Sequence, residues 1–229
     1  MMRISAHALA LAVPLIFSFS SAASGQEGGF LGLGGESRNP SLHIAPAEIE
    51  LDVPMPVNST SLALLLAQAG KGGNLSSMKD AALDKYRQHL QSELQAQLRD
   101  FFAGEEIPLV EREGLLSLQN RLQVKVVKHF SDLQTKGGYD LERGAVALSG
   151  SFHYRLGNFA GDTLREESLD IAKLKVRRKY LVKTPKGGGA AEDTTEEAIK
   201  LALSEMVERI LDEIEDDLEA DELRDLLSG

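Results

Sequence analysis

The sequence contains no cysteine, and this absence excludes two features of many exported proteins. Disulfide bonds cannot form, so the folded chain must be stabilised by an ordinary hydrophobic core. A lipid anchor of the bacterial lipoprotein type is excluded as well, because its attachment needs a cysteine just after an apolar N-terminal run. If the chain is exported, the missing cysteine fits a bacterial periplasm more readily than eukaryotic secretion.

Aromatic residues and positive charge are also scarce. Tryptophan is absent, aromatic residues make up 5% of the chain, and 35 acidic against 25 basic residues give a formal net charge of −10. Nucleic-acid binding needs clustered cations for the phosphates and often aromatic side chains on which bases stack. The composition therefore predicts no nucleic-acid partner.

Motifs that carry catalysis or bind cofactors are missing too. There is no G-x-S-x-G nucleophile motif, and the glycine-rich residues 186–190 lack the Lys-Ser/Thr ending of a phosphate-binding loop. The histidines after the N-terminal region, which are His43, His89, His129 and His153, are too far apart in sequence for a zinc-binding pair. No catalytic, cofactor-binding or metal-binding residue is predicted, and no cofactor.

The N-terminus has the layout of a secretory signal peptide. Arg3 lies in a short basic region, an apolar run follows over residues 8–19, and small residues occupy positions 20–25. A membrane-spanning helix needs about 20 apolar residues, so this run is too short and is also interrupted by a proline. We expect cleavage after Ala22, Ala23 or Gly25, no transmembrane segment afterwards, and a periplasmic or secreted location.

Composition divides the chain into three parts. Residues 1–25 are the predicted signal peptide, and residues 26–40 form a Gly/Ser-rich leader with few apolar side chains, which predicts disorder. Residues 41–229 are predicted to form a single α+β domain. Within it, residues 54–74 are expected to be a loop, with a short helical turn over the SLALLLAQ stretch at 61–68.

Two long amphipathic helices are predicted from apolar residues that recur every three or four positions. The first covers residues 78–103 and the second begins at Thr194, where Thr194 and Glu197 have the spacing of a capping box. The apolar stripes of both helices are expected in the core. Their members include Leu90, Leu94 and Leu98 in the first helix and Leu203, Val207, Ile210 and Ile214 in the second.

Alternation of apolar and polar residues predicts the strands. It covers residues 42–53, 115–130 and 145–156, and a return strand over 164–182 whose pattern shifts near Ala172, where a bulge or bend is expected. Strands grouped along the chain and joined by hairpins indicate an α+β fold. We predict an antiparallel sheet of about four to five strands with the two helices packed on one face.

This order of elements resembles that of small envelope accessory proteins of Gram-negative bacteria, including those that aid lipopolysaccharide or lipid transport. Those proteins usually carry the lipoprotein cysteine that is absent from this chain. The resemblance is therefore confined to the order of helices and strands.

Charge is unevenly distributed near the C-terminus. Residues 196–225 contain 13 acidic and three basic residues, whereas residues 173–186 contain seven cations and no acid. On a strand, Lys173, Lys175, Arg177 and Lys179 would share one face, which predicts a binding surface for an anion or an anionic partner. The alternatives are internal pairing with the acidic helix, which we favour at this point, or solvation of an edge strand.

These observations leave three hypotheses about function. The first is an exported, non-enzymatic envelope protein, a periplasmic binding or assembly accessory whose partner is anionic lipid, lipopolysaccharide or another envelope protein. The second is a secreted hydrolase whose site would use His43, His129 or His153 with nearby carboxylates. The third is a surface protein that self-assembles through an exposed stripe of the last helix. The sequence does not predict the oligomeric state.

Overall fold

One mixed β-sheet and three helices make up residues 39–54 and 75–228, which are the residues described by the computed structural model. The predicted signal peptide, nearly all of the predicted leader and loop residues 55–74 lie outside the described residues, and so does the helical turn expected at 61–68. Among the helices that are described, none combines the length and the apolar character needed to cross a membrane.

A long β-hairpin forms the centre of the sheet. Strands β4 and β5 pair antiparallel over nearly their full length and join at Gly137 and Gly138, both of which have positive φ. The eight strands in the described part of the chain are β1 Leu42–Ile44, β2 Glu48–Asp52, β3 Leu109–Val110, β4 Leu116–Lys136, β5 Tyr139–Asn158, β6 Thr163–Asp170, β7 Arg177–Pro185 and β8 Glu192–Asp193.

Short strands line both sides of this hairpin. On one side, β1 and β2 pair parallel with successive parts of β4, and β3 pairs parallel with β1. On the other side, β6 and β7 pair antiparallel with successive parts of β5, and β8 pairs with β7. The parallel pairs follow from connectivity, because the chain leaves β2, forms a helix and returns to the sheet as β3 and then β4.

The predicted sheet of four to five antiparallel strands is therefore wrong in strand number and partly in direction. The predicted strand at 42–53 is interrupted at Ala45–Ala47, where Pro46 has no N–H to donate. The predicted return strand is interrupted by a 3₁₀ helix at Ile171–Leu174. Strands β3 and β8 have only two residues each, which is too short for alternation to be visible.

The helices cover one face of the sheet, as predicted. They are α1 Leu75–Gly104, α2 Thr195–Leu218 and α3 Ala220–Ser228. One hydrophobic cluster joins their buried stripes to the even-numbered apolar residues of β4 and β5. The predicted core members are all buried, and they are Leu90, Leu94, Leu98, Leu203, Val207, Ile210 and Ile214.

The last helix differs from its prediction at both ends. It is divided at Glu219, whose extended ψ of 154° ends α2 before α3 begins. The predicted capping box does not form, because the Thr194 hydroxyl bonds instead to the backbone of Leu181, accepting from its N–H at 2.9 Å. The side chain of Asp193 caps the N-terminus of α2 instead, and it accepts a hydrogen bond from the N–H of Thr195 at 2.8 Å.

Candidate functional site

The basic segment, defined as residues 173–179, does not lie on one strand as predicted. Lys173 belongs to the 3₁₀ helix and Lys175 follows it with a left-handed φ of 55°, so only Arg177 and Lys179 are on β7. The side chain of Asp170 caps this helix by accepting from the N–H of Ala172 at 2.9 Å. The prediction that four cations share one strand face is therefore wrong, although all four side chains are exposed.

Arg177 and Lys179 point away from the helices. Their register partners on β5 are Ala147 and Ala145, on the sheet face opposite the helical layer. Arg178, between them, points the other way and forms an ion pair with Glu205 of α2 at 2.6 Å. Side chains two positions apart on a strand are separated by only about 7 Å, so Arg177 and Lys179 repel each other.

Ion pairing distinguishes the four predicted site residues from the other cations in and beside the basic segment. Arg178 pairs with Glu205, Lys183 with Glu192 at 3.4 Å, and Lys186 with Asp140 at 3.6 Å. In residues 39–54 and 75–228, no ion pair is formed by the four predicted site residues, which are Lys173, Lys175, Arg177 and Lys179. Internal pairing with the acidic helix, the alternative that the sequence favoured, thus holds for Arg178 but not for these four.

The acidic helices use a different cation, Arg165 of β6. Its guanidinium donates to Asp217 Oδ1 at 2.9 Å and to Glu222 Oε2 at 3.0 Å, and Asp217 also accepts from the Tyr154 hydroxyl at 2.8 Å. Burial and this hydrogen bond raise the pKa of Tyr154 above its ordinary value. No local pattern in the sequence links these side chains, because the hydrogen-bonded partners are 52 to 63 residues apart.

A cleft of about 420 Å³ lies between the start of β7 and the first turns of α2. Residues 177–179 form its cationic wall, and Ala198 and Leu201 contribute apolar surface on the helix side, beside Thr194 and Glu197. Leu201 is 48% exposed, which is unusual for a leucine in this helix. Leu201 falls outside the apolar stripe of α2. An apolar residue outside the stripe is a sequence signal for exposed apolar surface, and it could have indicated this cleft.

The solvent face of the sheet forms a larger open groove of about 760 Å³. Its charged and amide side chains mostly bond to each other. Arg121 pairs with Glu48 at 2.6 Å, and Arg155 donates to the amide oxygen of Gln119 at 2.8 Å. Because these groups already have partners within the sheet, the groove offers fewer unpaired charges to a ligand than the basic segment does.

The histidines of the hydrolase hypothesis are not brought together. The His43 ring lies 3.4 Å from the carbonyl oxygen of Val110, and His153 lines the solvent-face groove. Within the described residues, no hydrogen bond joins His43, His129 or His153 to a carboxylate, and no group of three or more potential metal ligands is present. The apolar stripe of α2, which the self-assembly hypothesis required to be exposed, is buried.

No protein-family model and no curated protein matches this chain. Among solved structures, it is similar to a neuraminyllactose-binding hemagglutinin homolog from Helicobacter pylori, with 10% identity, a TM-score of 0.49, and coverage of 86% of this chain and 96% of that one. A minor lipoprotein from Acinetobacter baumannii shows 12% identity and a TM-score of 0.30, with coverage of 79% and 95%. Lipoprotein GNA1162 from Neisseria meningitidis shows 12% identity and a TM-score of 0.16, with coverage of 76% and 99%. Likenesses this low identify no shared ligand or activity.

Proposed function

We propose that this protein is an exported, non-enzymatic binding or assembly accessory of the bacterial envelope, and that the basic segment is its surface for an anionic partner. Export rests on the signal-peptide layout of residues 1–25. The partner class consists of anionic lipid, the phosphates of lipopolysaccharide, or an acidic surface of another envelope protein.

One observation carries the proposal. Lys173, Lys175, Arg177 and Lys179 are exposed and form no ion pair in the described part of the chain, although 13 acidic residues lie in residues 196–225. Cations that served only to balance the acidic helices would lie within reach of those acids, as Arg178 does. A cluster of exposed cations attracts anionic partners and raises their rate of association.

Export predicts a processed N-terminus. We expect the first residue of the protein recovered from the periplasm or the medium to lie between Ala23 and Gln26, as N-terminal sequencing can establish. Retention of Met1 in a membrane fraction would contradict cleavage of a signal peptide, because it would mean that the apolar run acts as an anchor.

Charge reversal tests the binding surface. We expect the wild-type protein to sediment with vesicles of phosphatidylglycerol and phosphatidylcholine, or to bind lipopolysaccharide, and Arg177→Glu with Lys179→Glu to abolish that binding. The melting temperature should stay unchanged, because neither side chain has an ion pair to lose. Binding should also weaken as salt is added, since screening shortens the range of the attraction.

A matched control separates the site from net charge. Arg99→Glu with Arg112→Glu alters the total charge by the same amount at two exposed positions outside the basic segment. This control should bind like the wild type. Equal loss in both double variants would mean that binding follows only net charge. No binding by the wild type to vesicles, lipopolysaccharide or acidic peptides would contradict the proposal and leave edge solvation as the role of these cations.

A further inference from the structure

The outer edge of β7 has backbone groups available for another strand. In an antiparallel ladder, the N–H and C=O of alternate residues point to the same side of the strand. The N–H and C=O of Leu181 point away from β5, because they bond to Thr194 at 2.9 Å and 3.0 Å. By the same alternation, the N–H and C=O groups of Lys179 and Arg177 point outward too.

No strand covers this part of the edge in the described residues. Strand β8 pairs only with Val182 and Lys183, so it ends before the outward groups of Lys179 and Arg177 are reached. These groups face the side of β7 on which the 420 Å³ cleft lies, since Thr194 also lines that cleft. A chain in the cleft can therefore form backbone hydrogen bonds as well as side-chain contacts.

The solvent side and the helix side of the cleft differ in chemistry, and the two faces of a single added strand can match this difference. Side chains of Arg177 and Lys179 lie on the solvent face, and α2 contributes Glu197, Ala198 and Leu201 on the helix side. Alternate residues of a strand point to opposite faces. A strand that alternates acidic and apolar residues would place its carboxylates beside the cations and its apolar side chains beside Leu201.

We propose that the free edge of β7 at Arg177 and Lys179 accepts an extended acidic segment of a partner protein as an additional strand. This inference rests on the proposed function and names the partner class for the same surface. Addition of a strand to a sheet edge is a general mode of peptide recognition, in which backbone bonds provide affinity and side chains provide specificity. Cations on an edge oppose pairing with neutral or basic strands, so here they select an acidic one.

A synthetic peptide of alternating glutamate and valine tests the proposal. Its control peptide has the same side chains with every backbone nitrogen methylated, which keeps the charge but removes the N–H groups that a strand needs. We expect the first peptide to bind about tenfold more tightly, the scale of one or two backbone hydrogen bonds. Bound peptide should also slow deuterium exchange at the amides of Arg177 and Lys179.

A pair of variants at one position isolates the backbone contribution. Lys179→Gln removes the charge and keeps the N–H, whereas Lys179→Pro removes both. Because this N–H points away from β5, its loss breaks no bond within the sheet. We expect Lys179→Pro to bind the glutamate–valine peptide about tenfold more weakly than Lys179→Gln. If Lys179→Pro does not fold, deuterium exchange in the wild-type protein decides the question.

The outcomes distinguish this inference from the proposed function. Unchanged exchange at both amides in the presence of bound peptide would overturn strand addition. Equal affinities of the two folded Lys179 variants would overturn it as well. Binding of vesicles that is lost in the Arg177→Glu, Lys179→Glu variant would in those cases still support an anion-binding surface, now for lipid. If the wild type binds neither peptides, vesicles nor lipopolysaccharide, both proposals fail together.

Discussion

Replacing Gly150 with alanine is expected to destabilise the fold by about 2–6 kcal/mol, the sum of the cost of backbone strain and the cost of overpacking. Gly150 has a φ of +130°, a region that residues with a side chain rarely adopt. A Cβ atom at this position would lie 1.9 Å from the carbonyl oxygen of Gln123 on the neighbouring strand. That oxygen belongs to the backbone of the central hairpin and cannot move without disrupting the sheet.

The position of Gly150 explains why a glycine is needed there. Strand β5 pairs with β7 up to Ala147 and with β6 from Ser151, so Gly150 lies where its outer partner changes. A urea denaturation midpoint measures the effect, and Gly187→Ala is the matched control because nothing lies within 4 Å of the added methyl group. Equal midpoints for Gly150→Ala and the wild type would show that the backbone at this position is not as described.

Helices could be predicted well from this sequence because each depends on many local residues. The stripes of α1 and α2 repeat over several turns, so a single exception such as Leu201 does not obscure them. The strand boundaries were less accurate. The shift of alternation near Ala172 correctly indicated an irregularity, but it did not distinguish a one-residue bulge from the 3₁₀ helix at Ile171–Leu174.

Long-range pairing limited the prediction of the candidate site. The clustering of cations in the basic segment was visible in the sequence, but which of them pair internally depends on contacts across the fold. Arg178 and Glu205 are 27 positions apart, and they meet because β7 lies beside α2. The acids of α2 and α3 that bind Arg165 are more than 50 residues away from it. No periodicity or spacing along the chain encodes such partners.

The free edge at β7 arises from the same irregularity that the sequence only partly indicated. Because the 3₁₀ helix separates β6 from β7, these two strands pair with different parts of β5, and β7 becomes an outer strand. Strand β8 then covers only two of its residues. The exposed cations and the uncovered backbone edge thus have a common structural origin, and this is why both occur at Arg177 and Lys179.

Truncation of Leu203 to alanine should cost about 2–5 kcal/mol of unfolding free energy, the usual range for a buried leucine. Leu203 is fully buried in the cluster that joins α2 to α1 and to the sheet, so its loss leaves a cavity where the two layers meet. A domain of this size is typically stable by only about 5–15 kcal/mol. We therefore expect a large drop in both the melting temperature and the denaturant midpoint.

Leu201→Ala is the matched control, because it removes the same atoms from the same helix two positions away. Leu201 is 48% exposed and lines the cleft beside β7, so its truncation should change the melting temperature little. The same variant should weaken binding of the glutamate–valine peptide, whose apolar side chains are expected to contact Leu201. Together the pair separates the two faces of α2. We expect Leu203→Ala to lose stability and Leu201→Ala to lose peptide binding. The reverse pattern would contradict both the described orientation of α2 and the proposed strand site.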